Sequence, residues 1–186
     1  TLRFRVFDDG LGFRYEYEAC GADSLRVTDE LTEFRFAADG DSWTIPASFD
    51  TYELLYRKLP LSELADANTP ATFKVGGLYG SILYDFPEMT LRKTVGLAFK
   101  SDLAPQPDGT KAHVGNKFTT AWRTVQLAPD PVGLINSSLI LNLNEPSKIG
   151  DTSWIRPMKY VGVWWGMHLG VETWAMDDRH GATTEN

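Results

Sequence analysis

The chain has 186 residues, of which 42% are hydrophobic and 23% charged, a composition typical of a folded domain and not of a disordered segment. Its net charge of −7, without a long basic cluster, argues against nucleic acid as a partner. The single cysteine, Cys20, excludes an internal disulfide framework, and no apolar run reaches the roughly 20 residues that span a bilayer.

The first predicted elements are two strands joined by a tight turn. Apolar and charged residues alternate over residues 2–6 and again over residues 13–17, on either side of Asp8, Asp9 and Gly10. This pattern predicts an antiparallel hairpin. Asp8 and Asp9 resemble a carboxylate pair, but turn chemistry explains both of them.

Further short strands are predicted along the next part of the chain, separated by segments rich in Gly, Pro, Asp and Asn. They are Ser24–Val27, Thr32–Phe36, Thr72–Val75, Tyr79–Tyr84, Thr94–Lys100, Trp122–Leu127 and Ser137–Leu143. One short helix is predicted near Leu61–Ala65. Residues 1 to about 145 are therefore predicted to be mainly antiparallel β, as in a sandwich.

The character of the sequence changes after a polar segment near Gly150, which predicts a domain boundary with residues 1–150 on one side and 151–186 on the other. The segment 161–169 is apolar on both alternating faces and predicts a buried parallel strand. Thr183, Thr184 and Glu185 then have the composition of a helix start. Because the chain begins in strand-like sequence and ends at a helix start, we expect it to be a piece of a longer protein.

Four side chains are candidates for binding substrate: Trp43, Trp164, Trp165 and His168. Trp43 is predicted in a polar loop, where it either stacks on a sugar ring or closes the edge of the sandwich. Adjacent strand residues Trp164 and Trp165 point to opposite faces, and core packing is the simpler role for both. His168 lies at the C-terminal end of the predicted strand, the position of active sites in parallel barrels, or is a structural histidine.

The residues alone define no catalytic set. The sequence contains neither a nucleophile elbow nor a phosphate-binding glycine loop, and its Cys and His spacing does not fit a zinc site. The acidic and basic residues at positions 177–180 either line a site or form a solvated loop, and Glu145 has the same two interpretations. Two carboxylates for glycoside chemistry cannot be paired from sequence spacing.

Several strings, taken together and in order, resemble glycoside hydrolase family 97. They are FRVFDDGLGFRYEYE, VTDELTEF, LYDFPEMTL, FKSDLAPQPDGTK, FTTAWRTVQLA, LILNLNEPSKIGDTSWIRPMKYVGVWWGMHLG and HGATTEN. This resemblance, which spans essentially the whole chain, implies an α-glucosidase or α-galactosidase. Its parent would have an N-terminal β-super-sandwich, a central (β/α)8 barrel and a small C-terminal β domain.

By this resemblance the chain is the later part of the sandwich followed by the first strand and helix start of the barrel. The catalytic carboxylates would lie beyond Asn186, so no catalytic residue is assigned here. The implied partners are an oligosaccharide or glycoside substrate and the remaining parts of the parent chain, with no membrane or nucleic acid. The implied location is periplasmic or secreted.

The resemblance also implies a calcium ion, bound in family members partly by a glutamate that reaches out of the sandwich. Family members read approximately GLYLSIHEAALYDYPEM, whereas residues 77–89 here read GLYGSILYDFPEM. A four-residue deletion keeps the period-two facing of a strand but removes that glutamate. We therefore assign no metal ligand in this chain, and nothing transfers the role to Asp85 or Glu88.

Three hypotheses remain open at this stage. The chain is part of an exo-acting α-glycosidase, or it is a non-catalytic carbohydrate-binding or scaffolding β-sandwich. In the third, it is a truncation product that fails to fold, because half a sandwich exposes strand edges and apolar surface.

Overall fold

The computed structural model describes residues 1–18, 21, 23–84, 89–159, 164–175 and 179–181. The chain divides into two compact units, Thr1–Glu145 and Pro146–Asn186. No helix among the described residues is long and apolar enough to cross a membrane. The domain limits predicted at residues 150 and 151 stay predictions.

The first unit is built on a large antiparallel sheet. Its strands are β1 (Leu2–Phe7), β2 (Gly10–Tyr17), β5 (Asp41–Thr44), β6 (Arg57–Pro60), β8 (Ala71–Val75), β9 (Leu78–Tyr84), β13 (Phe118–Thr119) and β14 (Arg123–Ala128). They lie side by side in the order β1, β2, β14, β9, β8, β5, β6, and β13 pairs with the C-terminal end of β2.

A second antiparallel sheet packs against the first, and a separate strand pair completes the described β structure. The second sheet has the order β4 (Glu33–Arg35), β11 (Ala98–Leu103), β10 (Met89–Lys93), β7 (Asp66–Asn68), and the pair is β3 (Ser24–Val27) with β12 (Ala112–Gly115). Residues from both sheets, such as Phe73 and Ile82 from one and Leu91 and Phe99 from the other, form the main core. The predicted β-sandwich is therefore confirmed.

The predicted hairpin is confirmed residue by residue. Leu2 pairs with Tyr15, Phe4 with Phe13, and Phe7 with Gly10. Apolar residues of β1 and β2 face the second sheet, where they line a cleft of about 430 Å³ together with aromatic residues of β4 and β8.

Asp9, in the turn between β1 and β2, does more than form that turn. Its carboxylate accepts hydrogen bonds from the Ser137 hydroxyl at 2.7 Å and from the Ser138 amide at 3.0 Å. Its carbonyl accepts from the amide of Leu127 at 3.0 Å. Asp9 therefore lies in the predicted turn, but its carboxylate bonds outside the turn and fixes a segment more than a hundred residues away.

Glu16 lies in a small charged group on the hairpin surface. The Arg3 Nε donates to its carboxylate at 2.6 Å, and Arg14 contributes a second pair at 2.8 Å. These hydrogen bonds, first from Arg3 and then from Arg14, lower the pKa of Glu16 to about 2.

The predicted strand over Ser137–Leu143 is wrong, because this segment contains a helix. Two short helices, α1 (Pro131–Ile135) and α2 (Leu139–Leu143), follow β14. Leu139 and Leu143 are buried, whereas Leu141 between them is exposed. In a strand all three leucines would share one face, but in a helix Leu139 and Leu143 share a face and Leu141 lies on the opposite side. That face packs on the sheet at Gly10 and Gly12, where any side chain would collide with the two leucines.

Two smaller predictions also need correction. The segment Leu61–Ala65 is a turn with a single α-type hydrogen bond, from the Leu64 amide to the Pro60 carbonyl. It does not continue as a helix, because strand β7 begins at Asp66. Trp43 lies in strand β5 and not in a loop. Ser42 and Thr44, on either side of Trp43, are buried, while Trp43 is half-buried. The alternation of a strand is therefore present here, although the buried side chains are polar and gave no hydrophobic pattern in the sequence.

The predicted strand over 161–169 is wrong where the structure describes it, since Trp164–His168 is helix α3. Residues 161–163 lie outside the described residues. Within the described residues of this unit, no strand lies beside α3. A strand without a partner would leave its backbone N–H and C=O groups unbonded, whereas a helix pairs these groups within itself. The tryptophans are consequently exposed and not buried.

Candidate functional site

Trp43 lies on the large sheet beside one further aromatic ring, that of Tyr79, and two lysines, Lys58 and Lys74. Its indole stacks near the ring of Tyr79, with centroids 6.4 Å apart and planes inclined by 24°. The Lys58 ammonium lies 5.3 Å from the Trp43 ring centroid, and the Lys74 ammonium lies 4.9 Å from that of Tyr79. Because Lys58 already occupies one face of the half-buried indole, cation–π packing accounts for this residue without a ligand. Contact of Trp43 with a sugar stays a prediction.

The second unit holds the other three candidate residues on one helical turn. Trp164, Trp165 and His168 all belong to α3, and all three are exposed. The His168 ring lies 5.9 Å from that of Trp164 and 6.4 Å from that of Trp165, centroid to centroid. The Trp164 indole Nε1 donates a hydrogen bond to Nε2 of His168. The structure therefore brings these side chains together, although on a helix and not on a strand.

A cavity of about 300 Å³ opens beside α3. It is lined by Trp164, Met167, His168 and Trp174. Trp165 is absent from this lining, so only two of the three residues predicted on this segment belong to it. Trp174 was not among the predicted site residues. Its position in the loop after the predicted strand is the feature of the sequence that indicates it.

A buried ion pair in the first unit was not predicted at all. Arg123 Nη2 donates to Glu30 Oε2 at 2.7 Å, and its Nε donates to Oε1 at 3.1 Å. The second Nη group donates to the Thr120 hydroxyl and the Ala121 carbonyl, both at 2.7 Å. All three nitrogens of this guanidinium donate hydrogen bonds within the protein, so the pair joins the segment before β4 to β14 and has a structural role.

Near this ion pair lie two tyrosines with structural hydrogen bonds. The Tyr15 hydroxyl shares a hydrogen bond of 2.8 Å with Thr32, and the Arg123 guanidinium lies 5.3 Å from the centroid of the Tyr15 ring. Tyr84 is hydrogen-bonded to the buried Ser101, and burial raises the pKa of its phenol well above the usual range. The Tyr84 phenol therefore stays neutral, and both tyrosines have structural hydrogen bonds.

Strand β9, where the family resemblance implies a calcium-binding glutamate, contains no carboxylate. That strand pairs without interruption with β14 from Tyr79 to Tyr84, and with β8 from Leu78 to Ile82. Asp85 and Glu88 lie outside the described residues. Within the ranges that the structure describes, no three His, Cys, Asp or Glu side chains come together as a metal ion would require. The described residues therefore do not fit the implied calcium site.

The remaining candidates are only partly described. Asp177 and Asp178 lie outside the described residues, as do Thr183, Thr184 and Glu185. Arg179 and His180 belong to a short segment in which Thr173 forms a parallel bridge with Gly181. Glu145 is exposed at the end of the first unit. Cys20 is not described.

The comparison with protein families identifies the N-terminal part of a glycoside hydrolase. The profile of the glycosyl-hydrolase 97 N-terminal domain matches residues 1–146, which is most of the chain and the whole of the sandwich unit.

Individual relatives agree with this match. A retaining α-galactosidase of Bacteroides thetaiotaomicron is 24% identical over 204 aligned residues, covering 89% of this chain and 30% of the relative. A glycoside hydrolase family 97 enzyme from Pseudoalteromonas sp. strain K8, solved in complex with acarbose, is 42% identical, with a TM-score of 0.79 over 100% of this chain and 29% of that one. The same enzyme was also solved with panose as an E480Q variant.

A more distant likeness concerns the fold alone. A β-arabinopyranosidase is 21% identical, with a TM-score of 0.60 over 69% of this chain. The chain spans about 30% of the length of the curated α-galactosidase and 29% of the Pseudoalteromonas enzyme.

Proposed function

This chain belongs to glycoside hydrolase family 97, whose N-terminal domain model matches residues 1–146, and we propose that its parent protein hydrolyses terminal α-linked glucose or galactose residues. The observation that carries this proposal is the 42% identity over 100% of the chain to a family 97 enzyme solved with acarbose. An α-galactosidase among the relatives supports the second sugar.

In this proposal the chain contributes structure and sugar-facing surface, and the reaction takes place in a (β/α)8 barrel that follows the sandwich. Two carboxylates beyond Asn186 would cleave the glycosidic bond, either with an activated water or through a covalent intermediate. Trp164 and His168 are the residues of this chain that we place nearest the substrate, because they share a cavity with two further apolar side chains. Trp43 and Trp165 do not line this cavity, and we propose them as further aromatic residues that face the sugar.

We also propose that the sandwich supplies no calcium ligand in this protein. The uninterrupted pairing of β9 supports this proposal, because Ile82 and Leu83 occupy consecutive positions of the ladder and no residue is looped out between them. No step of the reaction is assigned to a metal here. Calorimetric titration of the enzyme with CaCl₂ tests the proposal, and re-inserting His-Glu-Ala-Ala after Ile82 should strengthen any binding that the wild type shows.

A periplasmic or secreted location is the corresponding proposal for the whole protein. It follows from the family resemblance and is tested by fractionating cells of the source organism.

The experiment for the main proposal is an activity assay of the protein made from the complete reading frame. It should release glucose or galactose from p-nitrophenyl α-glucoside, p-nitrophenyl α-galactoside or panose. The 186-residue chain alone should release none. NMR of the first-formed anomer then distinguishes inversion from retention.

The alternative is a non-catalytic carbohydrate-binding or scaffolding β-sandwich, and the neighbouring rings of Trp43 and Tyr79 on the large sheet favour it. Saturable binding of panose without any hydrolysis by the complete protein would contradict the enzymatic proposal and support this alternative.

A further inference from the structure

The cavity beside α3 has the composition of a small sugar subsite. Its volume of about 300 Å³ lies at the lower end of the roughly 300–1,000 Å³ found for small-molecule sites, enough for one ring and not for an oligosaccharide. Three of its four lining side chains are aromatic, and the fourth is Met167. Aromatic faces pack on the apolar faces of sugar rings, while a nearby donor fixes orientation.

Trp174 reaches this cavity because the chain reverses directly after α3. Gly170 ends the helix at a φ of +71°, a conformation that glycine adopts without strain. The Val171 amide then donates to the Gly166 carbonyl at 2.9 Å, which folds the chain back along the helix. Beyond it, Thr173 is held by its bridge to Gly181 and by a hydrogen bond of 2.8 Å to the His180 carbonyl. Trp174 is therefore attached to a fixed backbone.

His168 supplies the polar group of the cavity. Because an indole N–H only donates, the hydrogen bond from Trp164 requires His168 Nε2 to be the acceptor. In the neutral imidazole the proton then resides on Nδ1, which leaves one N–H donor for a hydroxyl group. A pyranose is a ligand that needs both an aromatic face and a hydroxyl partner.

We propose that the cavity between Trp164, Met167, His168 and Trp174 binds one pyranose ring of the substrate, with Trp174 stacking on the ring and His168 donating to a hydroxyl. This inference deepens the proposed function and rests on it. It adds Trp174 and Met167 to the substrate-binding residues and leaves Trp165 outside the subsite.

The test uses the enzyme from the complete reading frame and the substrate that the wild type hydrolyses, p-nitrophenyl α-glucoside, p-nitrophenyl α-galactoside or panose. Trp174→Ala should raise KM about tenfold, which corresponds to about 1.4 kcal/mol, with little change in kcat. Trp174→Phe keeps an aromatic face and should recover most of the loss. The matched control is Trp154→Ala, since Trp154 is exposed in the same unit but donates to the Asp151 carbonyl outside the cavity.

A second readout is independent of turnover. Panose should quench the tryptophan fluorescence of the wild type and of Trp154→Ala, and Trp174→Ala should need about tenfold more panose. Circular dichroism and Tm of the three variants establish that each is folded.

The outcomes separate the two proposals. An active wild type in which Trp174→Ala behaves like Trp154→Ala overturns the subsite and leaves the enzymatic proposal intact. Panose binding that depends on Trp174 in a protein without hydrolysis overturns the enzymatic proposal and supports the subsite. Absence of both binding and hydrolysis overturns both.

Discussion

Replacing Glu30 by glutamine removes a charge from the interior while leaving its partner in place. The side chains of Glu30 and Arg123 are only 8% and 3% exposed, so water cannot take over the role of the carboxylate. Two hydrogen bonds of the guanidinium, at 2.7 and 3.1 Å, point at this carboxylate. Its other contacts, with Thr120 and Ala121, are to neutral oxygens and do not balance the positive charge.

Breaking a buried ion pair on one side costs about 3–5 kcal/mol, because an uncompensated charge remains inside the protein. We expect Glu30→Gln to lower the free energy of unfolding by this amount, a large fraction of the roughly 5–15 kcal/mol typical of a domain. Urea unfolding followed by circular dichroism measures the change as a lower midpoint with an unchanged m-value.

The matched control is Glu18→Gln at the surface. Glu18 lies 3.7 Å from Lys117, with the two side chains 78% and 71% exposed, and such pairs contribute about 0–1 kcal/mol. In a Glu30→Met, Arg123→Met double variant, most of the loss should be recovered, because two apolar side chains replace both charges. A loss for Glu30→Gln as small as that of the control would refute the argument from burial.

Three further perturbations test the packing and electrostatics of the sandwich unit. Leu139→Ala should lower the free energy of unfolding by about 2–5 kcal/mol, measured by urea unfolding, because Leu139 is fully buried. Leu141→Ala, on the exposed side of α2, should change it by no more than about 0.5 kcal/mol, and equal losses for the two variants would argue against the helix. Gly12→Ala would bring its Cβ to 2.5 Å from a leucine of α2 and should destabilise by about 1–3 kcal/mol, while Gly150→Ala meets no atom within 4 Å and should leave Tm nearly unchanged. Because the pKa of Glu16 falls to about 2 on folding, its contribution to stability is fully present above about pH 4.5 and is lost as the pH falls towards 2. An NMR titration that finds an ordinary glutamate pKa for Glu16 would contradict the contacts with the two arginines.

The strands that were predicted correctly are those whose pattern of alternating residues and turn motifs lies within a few neighbouring positions of the sequence. The β1–β2 hairpin combines a turn motif with alternation on both sides, and its register follows from these two features. Ser24–Val27 and Tyr79–Tyr84 were recovered for the same reason. In contrast, Leu139 and Leu143 lie in a run too short to distinguish helix from strand, and the structure assigns the helix because both leucines pack on glycines of a distant strand.

The candidate site was predictable only in part. Trp164 and His168 were selected as aromatic and histidine residues near the end of an element, and they share a cavity, although the element is a helix. Trp174 was missed because its position depends on the chain reversal after Gly170. The ion pair between Glu30 and Arg123 joins residues 93 positions apart, and no pattern in the sequence links them.

The contacts of Asp9 set a constraint on the order of folding. Its partner Ser137 lies 128 residues further along the chain, so this contact closes one of the longest loops in the sandwich unit. Contacts with such separation form slowly, because the chain entropy of the whole loop must first be lost. During synthesis the hairpin can form early, but its outer face stays without α2 until residues 137–143 have left the ribosome. Amide hydrogen exchange at Ser138 therefore reports the completion of the fold, while exchange within β1 and β2 reports its beginning.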